Sequence, residues 1–167
     1  MANFFNSTSK ISRLSSIEVS NKETNTIIGS DTVIDDFVKI KHVGGIGDIT
    51  IGEVCFINSG CVLYSGNGIN IGNNVLIGPN CSITPVNHKF IDKNVLIIEQ
   101  GFQDSKGGII IEDDVWIGSN VVILDGAIIR KGAVIGAVIG ANSLVNSEIS
   151  ENSINYGSPC KTTRYRE

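Results

Sequence analysis

Branched aliphatic residues recur along the chain at a step of six. Ile28, Ile34, Ile40 and Ile46 open the series, Ile51, Ile57 and Leu63 continue it, and Ile71, Ile77 and Ile83 follow after a longer step. The beat then stops, and it returns at Ile111, Ile117, Ile123, Ile129 and Ile135. A small residue commonly stands four places after each beat residue: Thr32, Val38, Thr50, Cys55, Cys61, Val75, Cys81, Val115, Val121, Ala127 and Ala133 hold that phase. This period fits neither a helix nor a lone two-sided strand. It fits coils of three short strands, one hexapeptide each, stacked as a solenoid. One coil cannot bury its own aliphatic face. Stacking buries a continuous column, worth about 1.5–3 kcal/mol for each fully buried Ile, Leu or Val.

The beat divides the chain. Residues 1–26 carry Ser, Asn, Thr and Lys without a clear beat and are expected to form an N-terminal arm or cap. Residues 27–154 form the solenoid domain, and 155–167 a C-terminal tail with a basic end. Between His88 and Ile109 the beat is absent, so residues 89–108 are expected to leave the coil as one long external loop. Loops of that length inside a compact domain are usually functional. The stretch GAVIGAVIGA sets Ile135 and Ile139 four apart and predicts a bulge at a corner, since a one-residue slip would turn inward side chains outward.

Composition adds limits. The chain of 167 residues suffices for one domain with a core, and 41% hydrophobic with 6% aromatic residues makes that core aliphatic. Nineteen glycines against three prolines suit many tight corners. A net charge of −4 argues against a nucleic-acid partner held by a basic surface. The longest apolar run is too short to span a bilayer, and MANFFNSTSK lacks the apolar stretch of a signal peptide. The expectation is a soluble, cytoplasmic protein. Three of the four cysteines share the small inward phase, so they are read as core residues rather than as metal or redox groups. No paired-cysteine or paired-histidine spacing is present, and no metal is expected.

The segments IGNNVLIGPNCSITPVNH, IIIEDDVWIGSNVVILDGAIIRKGAVIG and INYGSPCKTTRYR resemble the hexapeptide-repeat acyltransferases. Within them the pattern is most like the galactoside, maltose and nodulation-factor O-acetyltransferases and their surface-polysaccharide relatives. The resemblance covers residues 27–166. It implies a left-handed parallel β-helix, against the usual right-handed rule for parallel crossovers. It also implies a homotrimer with active sites between subunits, acetyl-CoA as co-substrate and a sugar or glycan as acceptor.

His88 ends ITPVNH where the loop departs, and it matches the family's general base. A neutral imidazole can take the proton of a hydroxyl or amine attacking a thioester. His42, without a motif match, is expected at the surface. Trp116 precedes a beat residue, so it should point outward, and it matches a cleft-wall tryptophan; packing between subunits is a second, compatible role. Ser119 in WIGSN matches a serine near the thioester carbonyl, where a donor would steady the oxyanion; otherwise it is a plain corner residue. Asn58 in FINSGC matches an acceptor-facing asparagine or is a corner residue, and Gly60 stands where the family often has a second polar group. Glu99, in the loop, either orients His88, binds a sugar hydroxyl or faces solvent. For coenzyme A the resemblance implies Ser119, Ala141, Asn146 and Ser147 along the arm, and Lys161 and Arg164 near the phosphates. The family often has Thr-Lys where this chain has Asn146-Ser147, which should weaken or reroute phosphate binding.

Three functions fit these residues: O-acetyl transfer to a sugar hydroxyl in O-antigen or capsule synthesis, N-acetyl transfer to an amino sugar or nucleotide-linked amino sugar, and a non-catalytic β-solenoid scaffold.

Overall fold

The structure, a computed structural model, describes residues 3–135 and 142–167. Among these residues the chain winds through three sheets of seven, eight and six strands. The first coil is β1 (Phe4–Phe5), β2 (Lys10–Ile11) and β3 (Ser16–Ile17). The second is β4 (Thr26–Ile28), β5 (Val33–Ile34) and β6 (Lys39–Lys41), and the third β7 (Ile49–Ile51), β8 (Phe56–Ile57) and β9 (Val62–Tyr64). The fourth is β10 (Ile69–Ile71), β11 (Leu76–Ile77) and β12 (Ser82–Thr84), after which a long excursion carries the short helix α1 (Ile97–Gln100). The fifth is β13 (Ile109–Ile111), β14 (Trp116–Ile117) and β15 (Val122–Leu124), and the sixth β16 (Ile128–Ile129), β17 (Val134–Ile135) and β18 (Leu144–Val145). A seventh begins with β19 (Glu148–Ile149) and β20 (Ser153–Tyr156). β21 (Lys161–Tyr165) then turns back and pairs antiparallel with β20.

Each strand pairs in parallel with its counterpart one coil away, so the sequence beat becomes three aliphatic columns. In the middle sheet Ile34, Ile57, Ile77, Ile117 and Ile135 stand in register. All five are buried, as are Cys55, at the corner before the second strand, and Cys61 and Cys81, at the corner before the third. Burial holds the Cys55 thiol above its ordinary pKa, and a hydrogen bond with Cys81, together with burial, raises Cys61. Cys55 and Cys61 are thereby held as thiols, and all three cysteine side chains are enclosed packing groups.

Two kinds of corner are regular. Between the first and second strands of a coil, and between the second and third, four-residue turns place one residue in the left-handed region. Asp31, Asn74, Asp114, Phe37, Asn80 and Asn120 take it. Gly60 takes it too, at φ 74°, and an added Cβ would lie 2.3 Å from Asn80 Oδ1. The place where the acceptor reading found no polar group is thus a left-handed corner that glycine takes without strain, and Phe37, Asn80 and Asn120 hold the equivalent place in other coils.

The third corner, joining each third strand to the next coil, absorbs the irregularity of the described chain. Residues 18–25, 42–48 and 85–108 all lie there, stacked on one edge of the prism. The four-apart repeat at 135–139 falls almost wholly outside the described residues.

Three expectations change. Residues 4–17, expected within an arm or cap, form a first coil, because β1, β2 and β3 pair in parallel with β4, β5 and β6. Ile46, expected inward on the beat, is 86% exposed, because it falls in the 42–48 connection. Thr50 consequently lies between the buried Ile49 and Ile51 and faces outward, as strand alternation dictates.

Candidate active site

His88 sits at the root of the excursion. Its backbone bridges antiparallel to Phe102. Lys89 N–H donates to Gly101 O at 2.9 Å, and Gln103 N–H donates to Asn87 O at 2.8 Å. This closes residues 89–101 into a projecting arm and holds His88 at its base. The imidazole is exposed, and the ring of Phe102 lies against it with centroids 4.6 Å apart, tilted by 36°. Inside the arm the Gln100 amide donates to Asp92 O and Val95 O, each at 2.8 Å.

The return of the loop is pinned by a residue that motif reading passed over. Asp125 is buried at the same edge, one coil further on. Its carboxylate accepts from Lys106 N–H at 2.8 Å, Gly108 N–H at 2.9 Å and the Asn67 amide at 3.2 Å. Its sequence signal was an acid just after the aliphatic run VVIL, where the corner ought to be small.

His42 is buried rather than at the surface, at 5% exposure. Segment 18–25 of the preceding coil covers it. Thr24 Oγ1 lies 2.8 Å from Nδ1, and Thr26 Oγ1 lies 3.0 Å from Nε2. Ser20 and Thr24 hydroxyls are 2.6 Å apart, and Lys22 N–H donates to Ser20 Oγ. A neutral imidazole with its proton on Nε2 satisfies the whole chain: Ser20 donates to Thr24, Thr24 to Nδ1, and Nε2–H to Thr26. Burial lowers the His42 pKa, and the carboxylates of Asp48 and Glu18 oppose this. Because the folded pKa is depressed, the unfolded chain binds more protons below its own value of about 6.5, so stability is present above that pH and falls as the solution is acidified. Urea midpoints should decline below about pH 6.5 in the parent, and the decline should flatten in His42→Gln. A parallel decline in both proteins would remove His42 as its cause.

Segments 18–25 and 42–48 also frame a trough beside the loop. A cavity of about 660 Å³ is lined by Lys22, Glu23, Gly44, Gly45, Ile46 and Phe102. A second, of about 570 Å³, shares Lys22, Gly44 and Phe102 with it and reaches His42. Gly44 rests against Val86, where an added Cβ would lie 2.4 Å from a methyl carbon, so the wall cannot thicken there.

The other expected site residues are spread over the prism. Glu99 lies on α1, exposed, and no hydrogen bond joins it to His88 among the described residues; the aromatic ring of Phe102 occupies that flank instead. Asn58 and Ser119 stand at regular corners after the second strands, on a different edge from His88. The Asn58 amide donates to Ile77 O at 2.9 Å, a bond between coils. Trp116 points outward, 42% exposed, in register with the exposed Leu76, which in turn is in register with the exposed Phe56. Asn146 and Ser147 are exposed on the His88 edge, beyond Asp125. Lys161 and Arg164 are exposed on β21, without ion pairs among the described residues. Arg166 is engaged, donating to Asp114 Oδ2 and Gly132 O, both at 3.0 Å. Ala141 lies outside the described residues. A single chain thus brings His88, Phe102, Asp125 and the trough together, and leaves Ser119, Asn58 and Trp116 elsewhere.

A family model for the hexapeptide repeat of succinyl-transferase matches residues 48–85 and 108–138, the coils on either side of the loop. A galactoside O-acetyltransferase of Lactococcus lactis is 43% identical over 54 residues, 32% of this chain and 24% of that protein. The matched stretch therefore spans about a quarter of that relative's length. An N-acyltransferase of Bacillus cereus, solved with dTDP and coenzyme A, superposes with a TM-score of 0.76 over 95% of this chain and 83% of its own, at 22% identity. That likeness is one of fold. A hexapeptide-repeat acetyltransferase of Vibrio cholerae, solved with acetyl coenzyme A, is 31% identical, with a TM-score of 0.68 over 83% of this chain and 69% of its own. With parallel coils of three strands, and that identity over more than two thirds of the Vibrio chain, this protein belongs to the hexapeptide-repeat acyltransferases and has their left-handed parallel β-helix.

Proposed function

We propose that the protein is a cytoplasmic, acetyl-CoA-dependent O-acetyltransferase acting on a sugar hydroxyl in surface-polysaccharide synthesis. The observation that carries the reading is His88, exposed, held at the root of the loop and placed at the edge where the trough opens. His88 removes the hydroxyl proton as the oxygen attacks the thioester carbonyl. The carbon–sulfur bond then breaks, and the imidazolium returns its proton to the departing thiolate. No covalent enzyme intermediate is required, and the enclosed cysteines of the core could not supply one.

His88 and Ser119 stand on different edges of one prism, so the oxyanion role of Ser119 needs a second copy. A threefold assembly sets the His88 edge of one copy against the Ser119 edge of the next, and it covers the exposed Phe56, Leu76 and Trp116. The cations Lys161 and Arg164 suit the phosphates of coenzyme A. The arm would run past Asn146 and Ser147, whose lack of a lysine leaves the phosphates to the tail.

The test is acetyl transfer from acetyl-CoA to matched hydroxyl and amino sugars, followed by thiol release, with light scattering for the assembly. The expected result is a trimer that acetylates hydroxyl acceptors. Preference for the amino sugar would move the reading to N-acetyl transfer. Absence of coenzyme A binding by calorimetry would leave a scaffold.

A further inference from the structure

We infer that the trough between segments 18–25 and 42–48 binds a neutral acceptor oligosaccharide, seating the sugar next to the one that reacts. The inference rests on the proposed acetyl transfer for its meaning, but the binding site stands on its own geometry.

Position is the first ground. Phe102 is the shared wall: its ring lies against His88 at 4.6 Å and also lines both cavities. A sugar held in the trough is therefore one aromatic ring away from the candidate base. Size is the second. At about 660 Å³, with about 570 Å³ adjoining, the space falls in the range of pockets that take drug-sized ligands rather than a single small group.

Chemistry is the third. The exposed faces of Phe102 and Ile46 suit the C–H faces of sugar rings. Around them Lys22, Glu23 and Glu18 offer a donor and two acceptors for hydroxyls. With Lys41 paired to Glu18 at 3.1 Å, Lys22 and Lys41 are balanced by Glu18 and Glu23, and a seat without net positive charge is a poor one for a diphosphate. A nucleotide-linked sugar is accordingly disfavoured there, and an uncharged glycan is favoured.

Rigidity is the fourth. The Ser20–Thr24–His42–Thr26 chain fixes one bank, and the contact of Gly44 with Val86 fixes the other. A wall held in this way binds with little ordering cost. Ile46 also ceases to be an anomaly. At 86% exposure its side chain is fully available as an apolar contact surface beside Phe102.

The experiment uses the full chain on a microarray of bacterial oligosaccharides, monosaccharides and nucleotide sugars, with Ile46→Glu and Lys22→Ala beside the parent. Ile46 is a solvent-facing side chain, so the substitution spares the core. Oligosaccharides should be retained by the parent and lost by about tenfold or more in Ile46→Glu, the scale of a removed apolar contact. Acetyl-CoA binding, measured by calorimetry, should stay unchanged in both variants. Retention of no oligosaccharide, equal retention by Ile46→Glu, or preferential retention of nucleotide sugars would overturn the inference. Ile46-dependent retention without acetyl transfer would instead keep the trough and discard the enzymatic reading.

Discussion

Replacing His88 by alanine should lower acetyl transfer by about 10²–10⁴-fold, the usual contribution of a positioned general base. The physical grounds lie in the loop root. The side chain is exposed and makes no hydrogen bond among the described residues, its one ring contact being with Phe102, while its backbone is fixed by the Lys89 to Gly101 and Gln103 to Asn87 hydrogen bonds. Alanine keeps both of those bonds. Thermal stability should then move by no more than about 0.5 kcal/mol, as for ordinary surface substitutions. The loss should appear in kcat, with binding of acetyl-CoA unchanged, because the role proposed for the imidazole is to take the acceptor's proton. An asparagine at this place should do no better than alanine, since it keeps a polar group but cannot take up a proton near neutral pH. Near-normal turnover in His88→Ala would end the general-base mechanism. A fall in stability matching the fall in rate would show that the residue holds the loop instead.

The coil was legible in the sequence because parallel stacking repeats one requirement at every turn. An isoleucine must sit above an isoleucine, and a small side chain must fill the corner beside it, so the period survives in the letters. The loop was legible as a silence in that period, and His88 as the residue at its border. Other features depend on contacts that the period does not carry. Asp125 meets Asn67 across 58 positions, and His42 meets Thr24 across 18. Read along the chain alone, His42 stands outside the inward phase and looks solvent-facing. Only the insertion on the coil below buries it. The convergence of 18–25, 42–48 and 85–108 on one edge is likewise a consequence of counting strands in threes, and it brings three separate interruptions together. Asn58 and Ser119 show the opposite limit. Their motif matches are positional, and the fold sets them on another edge, so their place in a site depends on assembly.

Asp125→Ala should weaken both stability and activity, and the pairing of the two effects is what separates it from His88→Ala. The carboxylate collects three donors at the edge where the loop re-enters the coil. Alanine leaves the Gly108 N–H buried without a partner, a loss of about 1–3 kcal/mol. The Lys106 N–H and the Asn67 amide are nearer to solvent and can recover part of their bonding from water. The expected total is about 2–4 kcal/mol, which for a chain of this length is a drop of several degrees in melting temperature. With its return strand loosened, the loop no longer holds Phe102 against His88. Catalysis should then fall by about 10–100-fold, the scale of a misplaced catalytic group. Asp125→Asn offers the graded control. It keeps one carbonyl oxygen, enough for one of the two backbone donors, and should lie between alanine and the parent in both measurements. Hydrogen exchange at residues 106–108 should accelerate in the same order, from parent to asparagine to alanine. A variant with full stability and protected exchange that still lost activity would mean that Asp125 touches the reaction itself. A stability loss without any change in rate would mean that the loop finds its place without this clamp, and that the Phe102–His88 contact and the bridge at 88 and 102 suffice to hold the candidate base.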